Sequence, residues 1–397
     1  MKMISILGST GSIGINSLNV ISRLPEELSL FGISCYKNTA LLHKQIKQFN
    51  PKYAVITDSK SYSDFVKEHS NKINDTQIIY GTDGLNLIIS EPRVSSIIAA
   101  IVGFECIGPV VEAIKYNKTI LIANKEILVS AGEIIISLLS KSKAKLIPID
   151  SEHNALLQII LSSGLEYKIN DQNYYQRNIK KLTITASGGP FIDLDLKDFK
   201  RITVSDAIKH PTWKMGKKIS VDSATMMNKG LEIIEAKILF NLNISNITAL
   251  IHRESKIHAL VEFFDGTIIS HMSNPNMMIP ISYALTFPKR IFVNNDNEFD
   301  YTNFSFEEIP LNKFPCYKLA RYVAETSKNS PLILNAANEI SVEYFLEGKI
   351  SFMDISAIVE HVLETSEFVD HNDLESLIDN DREIRISTIN YIKRKYL

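Results

Sequence analysis

The chain opens on an apolar run, Met3-Ile4-Ser5-Ile6-Leu7, that halts at Gly8-Ser9-Thr10-Gly11-Ser12-Ile13-Gly14 and continues as a periodic apolar segment through Leu18, Ile21 and Leu24. Glycines at such a turn let the main chain bend tightly and approach a pyrophosphate, whose charge then meets free N–H groups and the positive end of the following helix. The spacing is GxxGxxG, a variant of the dinucleotide fingerprint, and the strand before it and helix after it supply the context that the motif needs. A purely structural strand-to-helix turn could use the same glycines.

The rhythm that follows supports the first reading. Strand candidates at residues 3–7, 30–36, 53–57, 77–80, 96–100, 119–123 and 145–149 alternate with amphipathic stretches, the pattern of a parallel sheet with crossover helices. Seven strands at this spacing predict a doubly wound, Rossmann-like α/β domain over residues 1–150. In residues 151–285 the order changes, with strand-like runs at 182–186, 247–251, 258–264 and 267–272. Asp265-Gly266 between the last two is a hairpin signal, so an antiparallel α+β middle domain is expected. Residues 286–311, with Asn294-Asn295-Asp296-Asn297, read as an exposed linker. Residues 312–397 read as a small helical bundle built from segments 317–327, 335–347 and 353–364.

Composition limits the partners. Lys plus Arg total 43 against 45 Asp plus Glu, so no global basic field exists to attract nucleic acid or anionic lipid, and any anion site must be local. Cys35, Cys106 and Cys316 lie far apart without CxxC spacing, as expected of reduced, buried thiols. The N-terminus leads straight into the glycine turn and no apolar run reaches the roughly 18 residues of a membrane span, so a cytoplasmic protein is expected.

The second strand ends at Cys35-Tyr36-Lys37-Asn38, without the acid that binds the ribose 2′-hydroxyl of NAD. A lysine with an amide beside it suits a 2′-phosphate, which favours NADP; taken alone, Lys37 could also be a solvated loop lysine. The run Leu146-Ile147-Pro148-Ile149 ends at Asp150-Ser151-Glu152-His153. Carboxylates at i and i+2 there can converge on one cation, or can simply open a capped helix. In the segment 221–232, Ser223, Asn228 and Lys229 offer hydroxyl, amide and ammonium donors for a phosphate. Glu232 lies off the apolar stripe of Leu231, Ile234 and Ile238 and could complete a three-carboxylate site, leaving Glu235 as a solvated neighbour. Ser187-Gly188-Gly189-Pro190 could form a phosphate nest or a plain turn, and His210 could donate to phosphate or serve a structural role. No HExxH occurs, so oxygen ligands and Mg²⁺ or Mn²⁺, with Co²⁺ as a further option, are expected rather than a histidine zinc site.

These residues resemble the 1-deoxy-D-xylulose 5-phosphate reductoisomerase family. The resemblance rests on Gly8 to Gly14, Ala123-Asn124-Lys125-Glu126, Pro148 to His153, Ser187-Gly188-Gly189-Pro190-Phe191, His210 to Gly216, Ile219 to Glu232 and Asn335-Ala336-Ala337-Asn338-Glu339, and covers essentially the whole chain. It implies metal ligation by Asp150, Glu152 and Glu232, with Lys125 and Ser151 at the substrate hydroxyls. It further implies phosphate or substrate contacts from Ser187, His210, Trp213, Ser223, Asn228 and Lys229. The implied NADPH contacts are Thr10, Gly11, Ser12, Ile13, Lys37, Asn38, Asn124, Glu126 and Gly216. A homodimer joined through the middle domain is implied as well. Two departures stand out: Tyr36 occupies a position where glycine is expected, and Phe104-Glu105-Cys106 replaces small residues after Gly103.

The implied reaction breaks and reforms a carbon–carbon bond of a small phosphorylated sugar on a divalent metal, by a retro-aldol and aldol sequence or a ketol shift, and then transfers hydride from NADPH. A simple NADP-dependent dehydrogenase and a catalytically silent NADPH-binding regulator are the rival classes; the second would need a broken active site, whereas the carboxylates, lysines and phosphate donors are all present. Residues 206–216 are expected to form a lid that buries Trp213, the sole tryptophan, when it closes.

Overall fold

The computed structural model describes residues 1–397 except Asn170, Gln172, Lys214, residues 292–297, Ser327 and Asn372. The chain forms two compact units: Met1–Asn124, Ser137–Asn154 and Asn276–Asp296 make the first, and Lys125–Ile136, Ala155–Pro275 and Asn297–Leu397 the second.

The first unit is built on eight strands: β1 Lys2–Leu7, β2 Leu28–Cys35, β3 Tyr53–Ile56, β4 Lys72–Ile73, β5 Thr76–Tyr80, β6 Val94–Ala99, β7 Thr119–Ile122 and β8 Lys145–Pro148. Their order is β4-β5-β3-β2-β1-β6-β7-β8. All neighbours are parallel except β4 and β5. The seven expected strands are present, and β4, two residues long, had no pattern by which to be seen. Helices cover both faces of such a sheet, so its strands read as continuous apolar runs; Ile4, Ile6, Leu7, Ile97 and Ile98 are fully buried. Chain order reverses at β1, whose neighbours are β2 and β6, and loops at such a switch point open a crevice for ligands. The helix Met278–Thr286 packs on the helix Ser12–Arg23, so the segment around residue 280, expected with the middle domain, clusters with the dinucleotide-type sheet.

The second unit carries β9 Ile179–Ala186, β10 Ile247–Ile251, β11 Ile257–Phe263, β12 Ile268–Met272 and β13 Glu307–Glu308, in the order β12-β11-β9-β10-β13. The expected antiparallel sheet is in fact mixed: β9 and β10 run parallel, because the long helical stretch between them works as a crossover. Asp265-Gly266 does close the hairpin of β11 and β12, with Gly266 at φ 86° and the Asp265 carboxylate accepting the Thr267 N–H at 2.8 Å. Part of the stretch expected as linker pairs as β13 with β10; Asn294 to Asn297 lie outside the described residues.

The C-terminal helices Pro315–Glu325, Ser330–Leu346 and Phe352–Thr365 answer to the three expected segments, and a fourth, Leu374–Lys395, was missed. Its charged sequence buries only Leu377, Asp381, Ile384, Thr388 and Ile392, too narrow a stripe to stand out. Phe352 anchors these helices, with ring centroids 5.2 Å from Phe191 and 5.8 Å from Phe345. Phe191 of the Ser-Gly-Gly-Pro-Phe motif therefore serves as packing. Among the described residues no helix is long and apolar enough to cross a membrane.

Candidate active-site residues

In the first unit, the loop after β1 is shaped by steric exclusion. A side chain at Gly8 (φ 89°) would put its Cβ 2.6 Å from the Ala100 carbonyl oxygen, and one at Gly14 would sit 2.4 Å from that of Gly8. Neither position can carry another residue without moving main chain. Behind the loop, Gln45 accepts the Ser9 hydroxyl at 2.7 Å and donates to the Ser9 carbonyl at 2.8 Å, while Ser34 accepts the Gly8 N–H at 3.0 Å. Gln45 and Ser34, both buried, brace the turn from a distance that the sequence did not disclose. The helix starts at Ser12 with Gly11 as its N-cap and no side-chain cap. Thr10, Gly11, Ser12 and Ile13 lie on the open side, half-buried or exposed. A helix N-terminus left open by its own side chains fits a pyrophosphate.

At the end of β2, Tyr36, Lys37 and Asn38 are exposed. Asn38 caps the helix Thr39–Phe49 by accepting the Leu41 N–H at 3.2 Å. Asn124 donates to the carbonyls of Ile101 and Gly103 at 2.6 and 2.7 Å, so its amide fixes the loop beyond β6. The departure at Phe104-Glu105-Cys106 forms a 3₁₀ turn that sends Phe104 and Cys106 into the core and leaves Glu105 outside.

Asp150 follows β8, and its carbonyl accepts the Asn154 N–H at 2.9 Å, so the helix Ser151–Ser162 begins immediately after it. The helix-start reading of these acids is therefore correct as far as the backbone goes: Asp150 immediately precedes the helix and Glu152 lies in its first turn. Asp150, Ser151 and Glu152 are half-buried, Ser151 donates to the Glu152 carboxylate, and Asp150 lies 3.9 Å from the ring of His153. Paired oxygen donors of this kind suit a hard divalent cation.

The second unit collects most of the remaining candidates. Glu232 is buried in the helix Met227–Phe240. Its carboxylate accepts from Lys125 Nζ at 2.8 Å and Asn228 Nδ2 at 2.5 Å, and it pairs with Lys229. Two ammonium groups and an amide thus converge on one buried carboxylate, a charged cluster of the local kind that a net charge near zero requires. Glu235 is also buried, which corrects the expectation of a solvated neighbour: this helix is enclosed on nearly all sides. Met226, between the helices Lys217–Ala224 and Met227–Phe240, takes φ 60°, a left-handed conformation that costs energy for a residue with a side chain and clusters at functional sites.

Gly188 (φ 90°) and Gly189 (φ 67°) turn the chain after β9. A Cβ on Gly189 would meet the Ser223 carbonyl oxygen at 2.7 Å, so this turn is held against the segment that bears Ser223, which is itself buried. Ser187 Oγ lies 3.0 Å from His210 Nε2. His210 Nδ1 accepts main-chain N–H groups from Thr212 at 3.1 Å and Trp213 at 2.8 Å, which fixes the tautomer: the proton sits on Nε2 and points at Ser187. Burial, then the nearby charge of Lys229, holds the His210 pKa down to about 4. Trp213 is half-buried with its ring centroid 6.3 Å from that of His258, and Gly216 is exposed at the N-cap of the helix Lys217–Ala224.

A pH effect follows from this arrangement. A histidine whose folded pKa is lowered stabilises the fold above its unfolded value, roughly 6.5, and loses that contribution as pH falls toward about 4. Protonated Nδ1 cannot accept the two N–H groups, so the Trp213 emission should change as pH falls through about 4, where the folded ring takes up its proton. The same titration of His210→Gln should lack this transition, and an identical curve in both proteins would refute the account.

Glu126, implied as a cofactor contact, turns its carboxylate to Lys218 at 2.5 Å, and Lys218 also pairs with Asp222 at 2.8 Å. Asn338 donates to Asp222 at 2.8 Å, and Arg385 pairs with Glu339 at 2.5 Å. The Asn335 to Glu339 motif thus belongs to a buried ionic network, and Lys218, Asp222 and Arg385 are its unforeseen members.

Family models cover most of the chain. That for 1-deoxy-D-xylulose 5-phosphate reductoisomerase matches residues 4–132, that for its C-terminal domain residues 146–240, and a further DXP reductoisomerase C-terminal domain residues 272–387. The 1-deoxy-D-xylulose 5-phosphate reductoisomerase of Caldanaerobacter subterraneus subsp. tengcongensis is 40% identical over 100% of both chains. A crystal structure of DOX-P reductoisomerase in complex with NADPH, fosmidomycin and magnesium superimposes with a TM-score of 0.92 at 37% identity, covering 99% of this chain and 98% of that one. The Zymomonas mobilis enzyme in complex with NADPH gives 0.87 at 34% identity, over 98% of this chain and 99% of that one. With its fold, its motifs and its full length matched in this way, the chain belongs to the 1-deoxy-D-xylulose 5-phosphate reductoisomerase family.

Proposed function

We propose that this protein converts 1-deoxy-D-xylulose 5-phosphate to 2-C-methyl-D-erythritol 4-phosphate in the non-mevalonate route to isoprenoid precursors, using NADPH and a divalent cation, Mg²⁺, Mn²⁺ or Co²⁺. The observation that carries this reading is the buried carboxylate of Glu232 held between Lys125 and Lys229, beside a sequence that presents phosphate donors. Asp150, Glu152 and Glu232 are assigned as the metal ligands; all three offer the oxygen donors that such ions prefer. When bound, the cation polarises the substrate's oxygens and NADPH supplies the hydride.

The chain's own residues do the rest. Lys125 places an ammonium proton where negative charge develops on oxygen, and Ser151 orients a hydroxyl. Ser187, His210, Ser223, Asn228 and Lys229 anchor the phosphate. Asn228 and Lys229 can do so while holding Glu232, since an amide has two N–H donors and an ammonium three. That remote anchoring orients the fragments during rearrangement. Residues 206–216, with Trp213, close over the substrate and exclude water. Thr10, Gly11, Ser12, Ile13, Lys37, Asn38, Asn124 and Gly216 receive NADPH, whereas Glu126, its carboxylate committed to Lys218, contributes through its main chain.

The functional division at 150, 285 and 311 belongs to this reading. So does a homodimer, supported by the edge strand β12 with Ile268 and Met272 exposed. Cytoplasmic residence is supported by three buried cysteines held as thiols rather than disulfides. The test is to supply 1-deoxy-D-xylulose 5-phosphate, NADPH and Mg²⁺, follow cofactor oxidation and identify the product by NMR. A branched tetrol phosphate is expected; an unbranched reduced product would assign a plain dehydrogenase instead.

A further inference from the structure

Tyr36 is the aromatic residue at the carboxyl end of β2, 58% exposed, with no core to fill. Lys37 Nζ lies 4.6 Å from the centroid of its ring. The two residues sit beside the glycine loop, because Ser34, two residues upstream of Tyr36, holds Gly8 through its hydroxyl at 3.0 Å and Ser9 through its carbonyl at 2.8 Å. In a doubly wound sheet this is where the adenosine ribose of a dinucleotide lies. Asp58 is an acid whose pKa is lowered by its Ser61 hydrogen bonds and, less, by the charge of Lys37. It is committed to the helix Ser59–His69, accepting the Ser61 N–H at 2.9 Å and the Ser61 hydroxyl at 2.7 Å.

We propose that Tyr36 is a positioning residue for cofactor choice: its ring face holds the Lys37 ammonium in place for the 2′-phosphate of NADPH. A free lysine side chain has many rotamers to lose when it meets an anion. A ring face attracts the ammonium without engaging all three of its N–H donors, so part of that ordering is done before the cofactor arrives. The inference rests on the NADPH reading above and concerns selectivity within it.

The experiment measures dissociation constants of NADPH and NADH for the full-length protein without substrate, by cofactor fluorescence, in the parent, Tyr36→Gly, Tyr36→Phe, Lys37→Ala and the Tyr36→Gly/Lys37→Ala double variant. Tyr36→Gly should weaken NADPH about two- to fivefold, the range of an exposed cation–π contact, and leave NADH unchanged. Tyr36→Phe, which keeps the ring face, should restore parental NADPH affinity. In the Lys37→Ala background Tyr36→Gly should have no further effect. Equal weakening of both cofactors, or an undiminished Tyr36 effect without Lys37, would show that the ring stacks on the cofactor itself and would overturn the proposal. If the parent favours NADPH and Tyr36→Gly keeps its full affinity, the proposal fails alone. If the parent shows no preference for NADPH, the reading beneath it fails too.

Discussion

Glu232→Gln should lower turnover at ordinary Mg²⁺ by about a hundredfold or more, since even partners one step removed from a metal commonly cost 10- to 100-fold when lost. Apparent Mg²⁺ affinity should fall with it, and raising Mg²⁺ should recover part of the rate. NADPH affinity should stay within about twofold, because the glycine loop belongs to the first compact unit and Glu232 to the second. The structure makes a competing account explicit: Glu232 is also the counter-charge for Lys125 and Lys229. A neutral amide there removes a negative charge that Lys125 and Lys229 both pair with, which would lower stability and could lower activity without any metal. The two accounts separate on the Mg²⁺ titration. If the variant is slow but its Mg²⁺ dependence matches the parent's, Glu232 is a counter-ion and leaves the proposed ligand set.

What the sequence revealed and what it hid divide along chain distance. Gly8 to Gly14 could be read because strand, turn and helix are contiguous, and Asp265-Gly266 because a hairpin is local. Asn228, Lys229 and Glu232 could be singled out for the same reason: they are spaced three and four apart on one helix and meet there. The brace on Ser9 comes from Gln45, and the partners of Lys218 include Glu126, 92 residues earlier. No local pattern marks such pairs. Glu235 misled because an acid off an apolar stripe usually faces water, and only the packing of neighbouring elements around this helix shows otherwise. The parallel pairing of β9 with β10 was hidden likewise: roughly sixty residues of crossover carry no sign of direction, while the two-residue strands β4 and β13 are too short to show alternation.

Lys218→Met should cost about 3 to 5 kcal/mol, the usual result of removing one partner from a buried ionic group. For a folding unit of this size that is a fall of about 6 to 20 °C in Tm. Burial alone would lower the Lys218 pKa, but Asp222, Glu126 and Glu339 together raise it above its ordinary value. For Glu126 the order is mirrored: burial raises its pKa, and Lys218 brings it below the ordinary value. Burial leaves Glu339 raised despite Lys218 and Arg385, so it gains less from the ion pair than Glu126 does. The signs set the pH window. A raised lysine stabilises below its unfolded value, roughly 10.4, and loses that contribution as pH climbs through the folded one. A lowered glutamate stabilises above its unfolded value, roughly 4.3, and loses that contribution as pH falls. The stability gap between parent and Lys218→Met should therefore be full from about pH 5 to 9 and narrow toward acid, where Glu126 is neutralised in both proteins. Lys218→Arg, which keeps the charge, should recover much of the loss, and a Met variant that melts within about 2 °C of the parent at pH 7 would show that the network is not holding these helices. Because Lys218 immediately follows the Gly216-Lys217 start of its helix and grips Glu126, the neighbour of Lys125, Lys218→Arg should also show whether a looser grip disturbs Lys125: a drop in kcat at unchanged NADPH affinity and unchanged Tm would place the network's effect on the proposed role of Lys125 rather than on the fold.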